Sequence, residues 1–71
     1  MSEATIHVRL NGKEREVSAG HTVRSLVESL ELRPALVVVE LNREILARDT
    51  YDEVPVREGD TIELVHFVGG G

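Results

Sequence analysis

The sequence predicts an α+β fold: a mixed sheet of four to five strands with one helix packed on one face. Three observations predict it. Apolar residues alternate near both ends of the chain, a single amphipathic stretch of helical period lies between them, and Asn11-Gly12 marks a tight hairpin close to the start. With 71 residues there is room for one small domain. It is expected to span residues 1–68, with residues 69–71 as a flexible glycine tail.

In Thr5-Ile6-His7-Val8-Arg9-Leu10, the residues Ile6, Val8 and Leu10 share one face, the pattern of a half-buried strand. Asn11-Gly12 follows, and both residues tolerate the positive φ of a type I′ turn. The return strand, Lys13 to Val17, is densely charged, which protects an edge strand from pairing with other molecules. After a loop at residues 18–21, Thr22 is placed to cap a helix. Val23, Leu26, Val27 and Leu30 then fall at i, i+3, i+4 and i+7 and form its buried stripe. Pro34 is expected to end that helix, because it disfavours helical geometry at Arg33.

Residues Ala35 to Leu41 contain Val37-Val38-Val39, a β-branched run that suits a buried central strand. Asn42-Arg43-Glu44 turns the chain, Ile45-Leu46 reads as a short fourth strand, and residues 49–52 resemble a turn or a 3₁₀ segment. Arg57 to Asp60 form another turn before a final strand, Thr61 to Val68. The first and last strands are expected to lie side by side and parallel at the centre of the sheet.

Composition narrows the function. The net charge of −5 argues against nucleic acid as the main partner, since neutralising phosphates requires a surplus of Lys and Arg. No apolar run approaches the roughly 20 residues of a membrane span, and the first residues lack the features of a signal peptide. A cytoplasmic protein with no membrane association is therefore expected. With no cysteine, neither a disulfide framework nor a zinc knuckle is available. His7, His21 and His66 lack metal-ligand spacing, so no metal site is expected. No nucleophile motif or phosphate-cradling glycine loop is present, so no catalytic residue is assigned and the protein is expected not to be an enzyme.

Two features carry functional expectations. Gly69-Gly70-Gly71 directly follows the last strand; side-chain-free residues can thread a narrow channel, and the Gly71 carboxylate is open to attack. If Ile62 and Leu64 face the helix, Val65 and Phe67 face the other way, as do Leu36 and Val38 on the third strand. Unless the 45–57 segment folds over them, these residues form an exposed apolar patch beside the tail, rimmed by His7, Arg9 and Glu40. Such a patch marks a docking site.

Taken in order, Asn11-Gly12, Gly20-x-Thr22-Val23, Leu41-Asn42-Arg43-Glu44-Ile45, Arg48, Glu58-Gly59-Asp60 and Val68-Gly69-Gly70-Gly71 resemble the ubiquitin-like β-grasp sulfur carriers, most closely those of the ThiS type. The resemblance covers nearly the whole chain from Thr5, with a few extra residues before the first strand and three glycines where the motif requires two. It implies a carrier that binds no cofactor itself. A ThiF-type adenylyltransferase would use ATP to convert the Gly71 carboxylate to an acyl-adenylate, with Gly69 and Gly70 threaded through its channel. Sulfur from a persulfide donor would then give a Gly71 thiocarboxylate, consumed by a ThiG-type thiazole synthase in thiamine biosynthesis. Two alternatives stay open: a MoaD-type small subunit of molybdopterin synthase or another thiocarboxylate carrier, and a non-covalent β-grasp interaction module.

Overall fold

The structure is a computed structural model and describes residues 4–66. Strands β1 (Thr5–Leu10) and β2 (Lys13–Ser18) pair antiparallel around Asn11 and Gly12, whose φ angles of 51° and 82° are those of the expected type I′ turn. Val8 and Leu10 enter the core, while the charged residues of β2 stay exposed at the sheet edge.

Helix α1 (Val23–Ser29) begins as the sequence predicts. The Thr22 hydroxyl accepts from the Ser25 amide at 3.1 Å and the Ser25 hydroxyl accepts from the Thr22 amide at 2.9 Å, a reciprocal cap. Its end is different. The helix stops at Ser29, several residues before Pro34, because Glu31 takes a left-handed conformation at φ 64°. The Glu31 amide then donates to the Glu28 carbonyl at 2.9 Å and the Leu32 amide to the Val27 carbonyl at 3.3 Å. These bonds satisfy the last helical carbonyls, so the chain has reversed before proline can act.

Pro34 instead opens a 3₁₀ turn, Pro34–Leu36, since its fixed φ suits a first helical position. This corrects the third strand, which is β3 (Val37–Leu41): Leu36 belongs to the 3₁₀ turn and lies outside the strand. Asn42 and Arg43, with φ of 50° and 73°, turn β3 into β4 (Glu44–Ile45). A second 3₁₀ turn, Arg48–Thr50, precedes β5 (Thr61–His66).

The sheet order is β2-β1-β5-β3-β4, with β1 and β5 parallel at the centre as expected and the β3 pairings antiparallel on either side. Val23, Leu26 and Val27 of α1 are buried against one face, where Val8, Leu10, Val37, Val39 and Ile62 meet them. Each such side chain contributes about 1.5–3 kcal/mol when fully buried.

The 46–57 segment lies beside the helix start. The Val23 amide donates to the Val54 carbonyl at 2.8 Å, the Arg24 amide to the Tyr51 carbonyl at 3.0 Å, and the Val56 amide to the His21 carbonyl at 2.9 Å. Tyr51 and Val56 thereby join the core. The Tyr51 hydroxyl donates to the Val37 carbonyl at 2.8 Å and accepts from the Val39 amide at 3.2 Å. A side chain thus does for the start of β3 what β4 is too short to do.

Candidate functional site

Everything at this site follows from where β5 points. The strand occupies the sheet centre, and two asparagines fasten it from opposite sides. Asn11 Oδ1 accepts from the Leu64 amide at 2.8 Å. Asn42 Oδ1 accepts from the Thr61 amide at 2.9 Å while its Nδ2 donates to Asp60 at 3.1 Å. His66, the last described residue, is therefore the end of a strand held firmly in the sheet. Phe67, Gly69, Gly70 and Gly71 lie outside the described residues.

Register defines the face away from the helix. Val38 is the partner of Val65, Glu40 of Glu63, and Ile45 of Glu40. Val65 is 55% exposed and Ile45 72%, the large apolar side chains most open to solvent among the described residues. Val38 is half-buried between its neighbours. Because the 46–57 segment packs on the helix side, Val38 and Val65 remain uncovered close to the tail root. Leu36, half-buried in its 3₁₀ turn, sits just before β3 and is not part of the strand surface.

His7 and Arg9 lie elsewhere. Arg9 is level with Thr61 at the start of β5, and the His7 carbonyl accepts from the Gly59 amide at 2.7 Å. The parallel pairing of β1 with β5 causes this: His7 falls about 20 Å from Val65 along the strand direction. Its ring nitrogens are 3.5 Å from Glu16 and 3.6 Å from Glu58, and its amide donates to Glu58 at 3.0 Å. The structure thus brings together Val38, Val65 and Glu40 but separates them from His7 and Arg9.

Ile45 and Glu63 are additions that the sequence reading did not single out. For Glu63 the signal was present, since period-2 alternation puts it on the same face as Val65. For Ile45 there was none, because its face depends on the β3–β4 register.

Two depressions lie on the surface, the first reaching His66 at the end of β5 and the second set apart beside the helix start. One, of about 480 Å³, is lined by Leu10, Asn11, Arg15, Leu30, Leu64 and His66. The other, of about 500 Å³, lies between Arg24, Arg33, Pro34, Arg48 and Tyr51. In the latter, Arg24 bonds to Glu28 at 3.1 Å and to Asp52 at 3.3 Å, and these carboxylates hold its guanidinium above its ordinary pKa. No cluster of three metal-ligating side chains occurs among the described residues, and none of their helices is long and apolar enough to cross a membrane.

Comparison with known proteins agrees with this architecture. The family model for the ThiS family matches residues 8–71. A sulfur carrier protein ThiS from Bacillus subtilis is 42% identical over 65 residues, covering 90% of this chain and 98% of that protein. A thiazole synthase from Magnetococcus marinus is also 42% identical, over 64 residues that cover 90% of this chain; the chain spans only 20% of that longer protein. Among solved structures, the crystal structure of a thiamine biosynthesis protein (ThiS) from Geobacter metallireducens superposes with a TM-score of 0.78 at 35% identity, covering 93% of this chain and 100% of the other.

Proposed function

Because the chain belongs to the ThiS family, we propose that it carries sulfur on Gly71 for thiamine biosynthesis. The family is one of sulfur carriers, and the chemistry belongs to the main-chain carboxylate. A carboxylate is a poor electrophile until one oxygen becomes part of a good leaving group. Attack of the Gly71 carboxylate on the α-phosphate of ATP, in a ThiF-type adenylyltransferase, gives an acyl-adenylate and pyrophosphate. The terminal sulfur of a persulfide donor then attacks the acyl carbon and AMP leaves. Cleavage of the resulting acyl disulfide by a thiol frees the thiocarboxylate. A ThiG-type thiazole synthase consumes that sulfur; the resemblance of part of several thiazole synthases to this chain supports such a partner. The work is assigned to the cytoplasm.

The observation that carries this reading is the family match, which spans residues 8–71 and so includes the glycine tail. The fold is consistent with it. A central strand, fastened by Asn11 and Asn42, leads into glycines that have no side chains to obstruct a channel, while Val38 and Val65 offer the adenylyltransferase a surface next to the tail root. The chain's lack of cysteine also leaves the activated terminus with no internal thiol to capture it.

Intact mass spectrometry tests the reading. Incubation with ATP, the adenylyltransferase and a sulfur donor is expected to replace one oxygen by one sulfur, within the C-terminal peptide. Deleting Gly70 and Gly71 is expected to abolish that change while circular dichroism stays native. An unchanged mass for the full chain overturns the proposal.

A further inference from the structure

β5 outruns one of its two neighbours. β1 ends at Leu10, level with Ile62, and the chain then turns away through Asn11-Gly12, whereas β3 stays paired with β5 as far as His66. Successive residues of a strand offer their main-chain groups to alternate sides. The Thr61 carbonyl accepts from the Asn42 amide on the β3 side, and the Ile62 carbonyl from the Asn11 amide on the β1 side. The main-chain groups of Leu64 and His66 therefore also point to the β1 side. There the Leu64 amide is held by the Asn11 side chain at 2.8 Å. The Leu64 carbonyl and the His66 amide have no hydrogen-bond partner among the described residues. Both residues line the depression of about 480 Å³, together with Leu30 and Leu32, which pack partly buried against the core.

We propose that this depression receives an extended segment of the thiazole synthase, laid parallel to β5 in the lane that β1 leaves at Leu10. The proposal rests on the carrier reading and specifies a main-chain contact by which the synthase holds its carrier. In a parallel ladder one residue donates its amide to a carbonyl and accepts at its own carbonyl from the amide two residues further on. Arg9 takes the Asp60 carbonyl in this way at 2.9 Å, and Asn11 takes that of Ile62 at 2.9 Å, with its side-chain oxygen standing in at the Leu64 amide. None of the described residues supplies the next position, between the Leu64 carbonyl and the His66 amide. One residue of an incoming parallel strand satisfies both groups. An antiparallel strand would find the Leu64 amide already bonded. Strand addition at an open sheet edge draws its affinity from such bonds, and apolar side chains of the incoming strand would meet Leu30 and Leu32. The thiazole synthases that match this chain over about a fifth of their length support the occupant, because they carry a region like it and the rest of the synthase in one polypeptide.

Hydrogen exchange on the full chain tests the contact. In the free chain the His66 amide is expected to exchange fast and the Leu64 and Val65 amides slowly, since Asn11 holds the first and β3 the second. Addition of a ThiG-type thiazole synthase is expected to slow the His66 amide at least about tenfold. Unchanged exchange at His66 in a complex that forms overturns the proposal.

Proline substitution gives an independent reading. His66→Pro deletes an amide that is unbonded in the free chain, so it is expected to melt close to the unsubstituted chain. Val65→Pro removes an amide that faces β3 and is expected to melt far lower. His66→Pro is also expected to bind the synthase about tenfold more weakly, whereas His66→Ala, which keeps the amide, binds close to the unsubstituted chain. Equal affinity of His66→Pro and the unsubstituted chain overturns the proposal. So does an equal loss in His66→Ala, which would assign the contact to the imidazole. If His66→Pro melts as low as Val65→Pro, the amide is bonded within the fold and the lane is closed. Failure of the unsubstituted chain to bind the synthase or to gain sulfur counts against the carrier reading itself, a distinct result.

Discussion

Val38 and Val39 are neighbours on β3 and meet opposite environments. Val39 is fully buried under α1, whereas Val38 faces outward beside Val65. The same contrast holds for the whole sheet. One face is closed by α1 and by Tyr51 and Val56 from the 46–57 segment, and the other keeps exposed Val65 and Ile45 together with two facing glutamates. Stability comes from the first face. The second retains apolar and like-charged groups that the core does not use, and it is the surface on which the proposed function places docking.

The largest effect that separates the two faces is expected from Val39→Asp. An unpaired carboxylate would be buried, and cores of chains this small rarely supply more than about 3–5 kcal/mol, so circular dichroism should show an unfolded chain. A smaller loss, about 1–3 kcal/mol in urea unfolding, is expected from Tyr51→Phe, which leaves the Val37 carbonyl and the Val39 amide without their hydroxyl partner. Thr22→Ala removes one half of the reciprocal cap of α1 and should cost about 1 kcal/mol by the same measurement. The smallest change in stability, within about 0.5 kcal/mol, is expected from Val65→Thr on the open face. That variant should nonetheless bind the adenylyltransferase several-fold more weakly in titration calorimetry. If Val65→Thr instead destabilises as much as Tyr51→Phe, the division between the faces is wrong.

The covered face was largely legible from sequence. Alternation in Thr5–Leu10, the Asn11-Gly12 turn, the Thr22 cap and the Val23, Leu26, Val27 stripe are local signals whose physics acts within a few residues. What escaped was long-range or conformational. Tyr51 completes an edge of β3 across 14 residues of sequence, and nothing near Tyr51 announces it. Glu31 accepts a left-handed conformation usually left to glycine, so the helix closed earlier than Pro34 suggested. On the candidate site, period-2 alternation placed Val65 and Val38 correctly on one face. It could not reveal that the parallel β1–β5 register carries His7 and Arg9 toward the opposite end. The Phe67 part of that patch and the glycine tail lie outside the described residues.

The central position of β5 has a mechanical consequence. Hydrogen bonds to β1 on one side and β3 on the other run across the strand axis. Traction applied along the strand from its far end loads these bonds together, in shear, rather than peeling them open one after another. A pull on the end of β5 is therefore met by the whole sheet at once, and the domain yields as a unit or not at all.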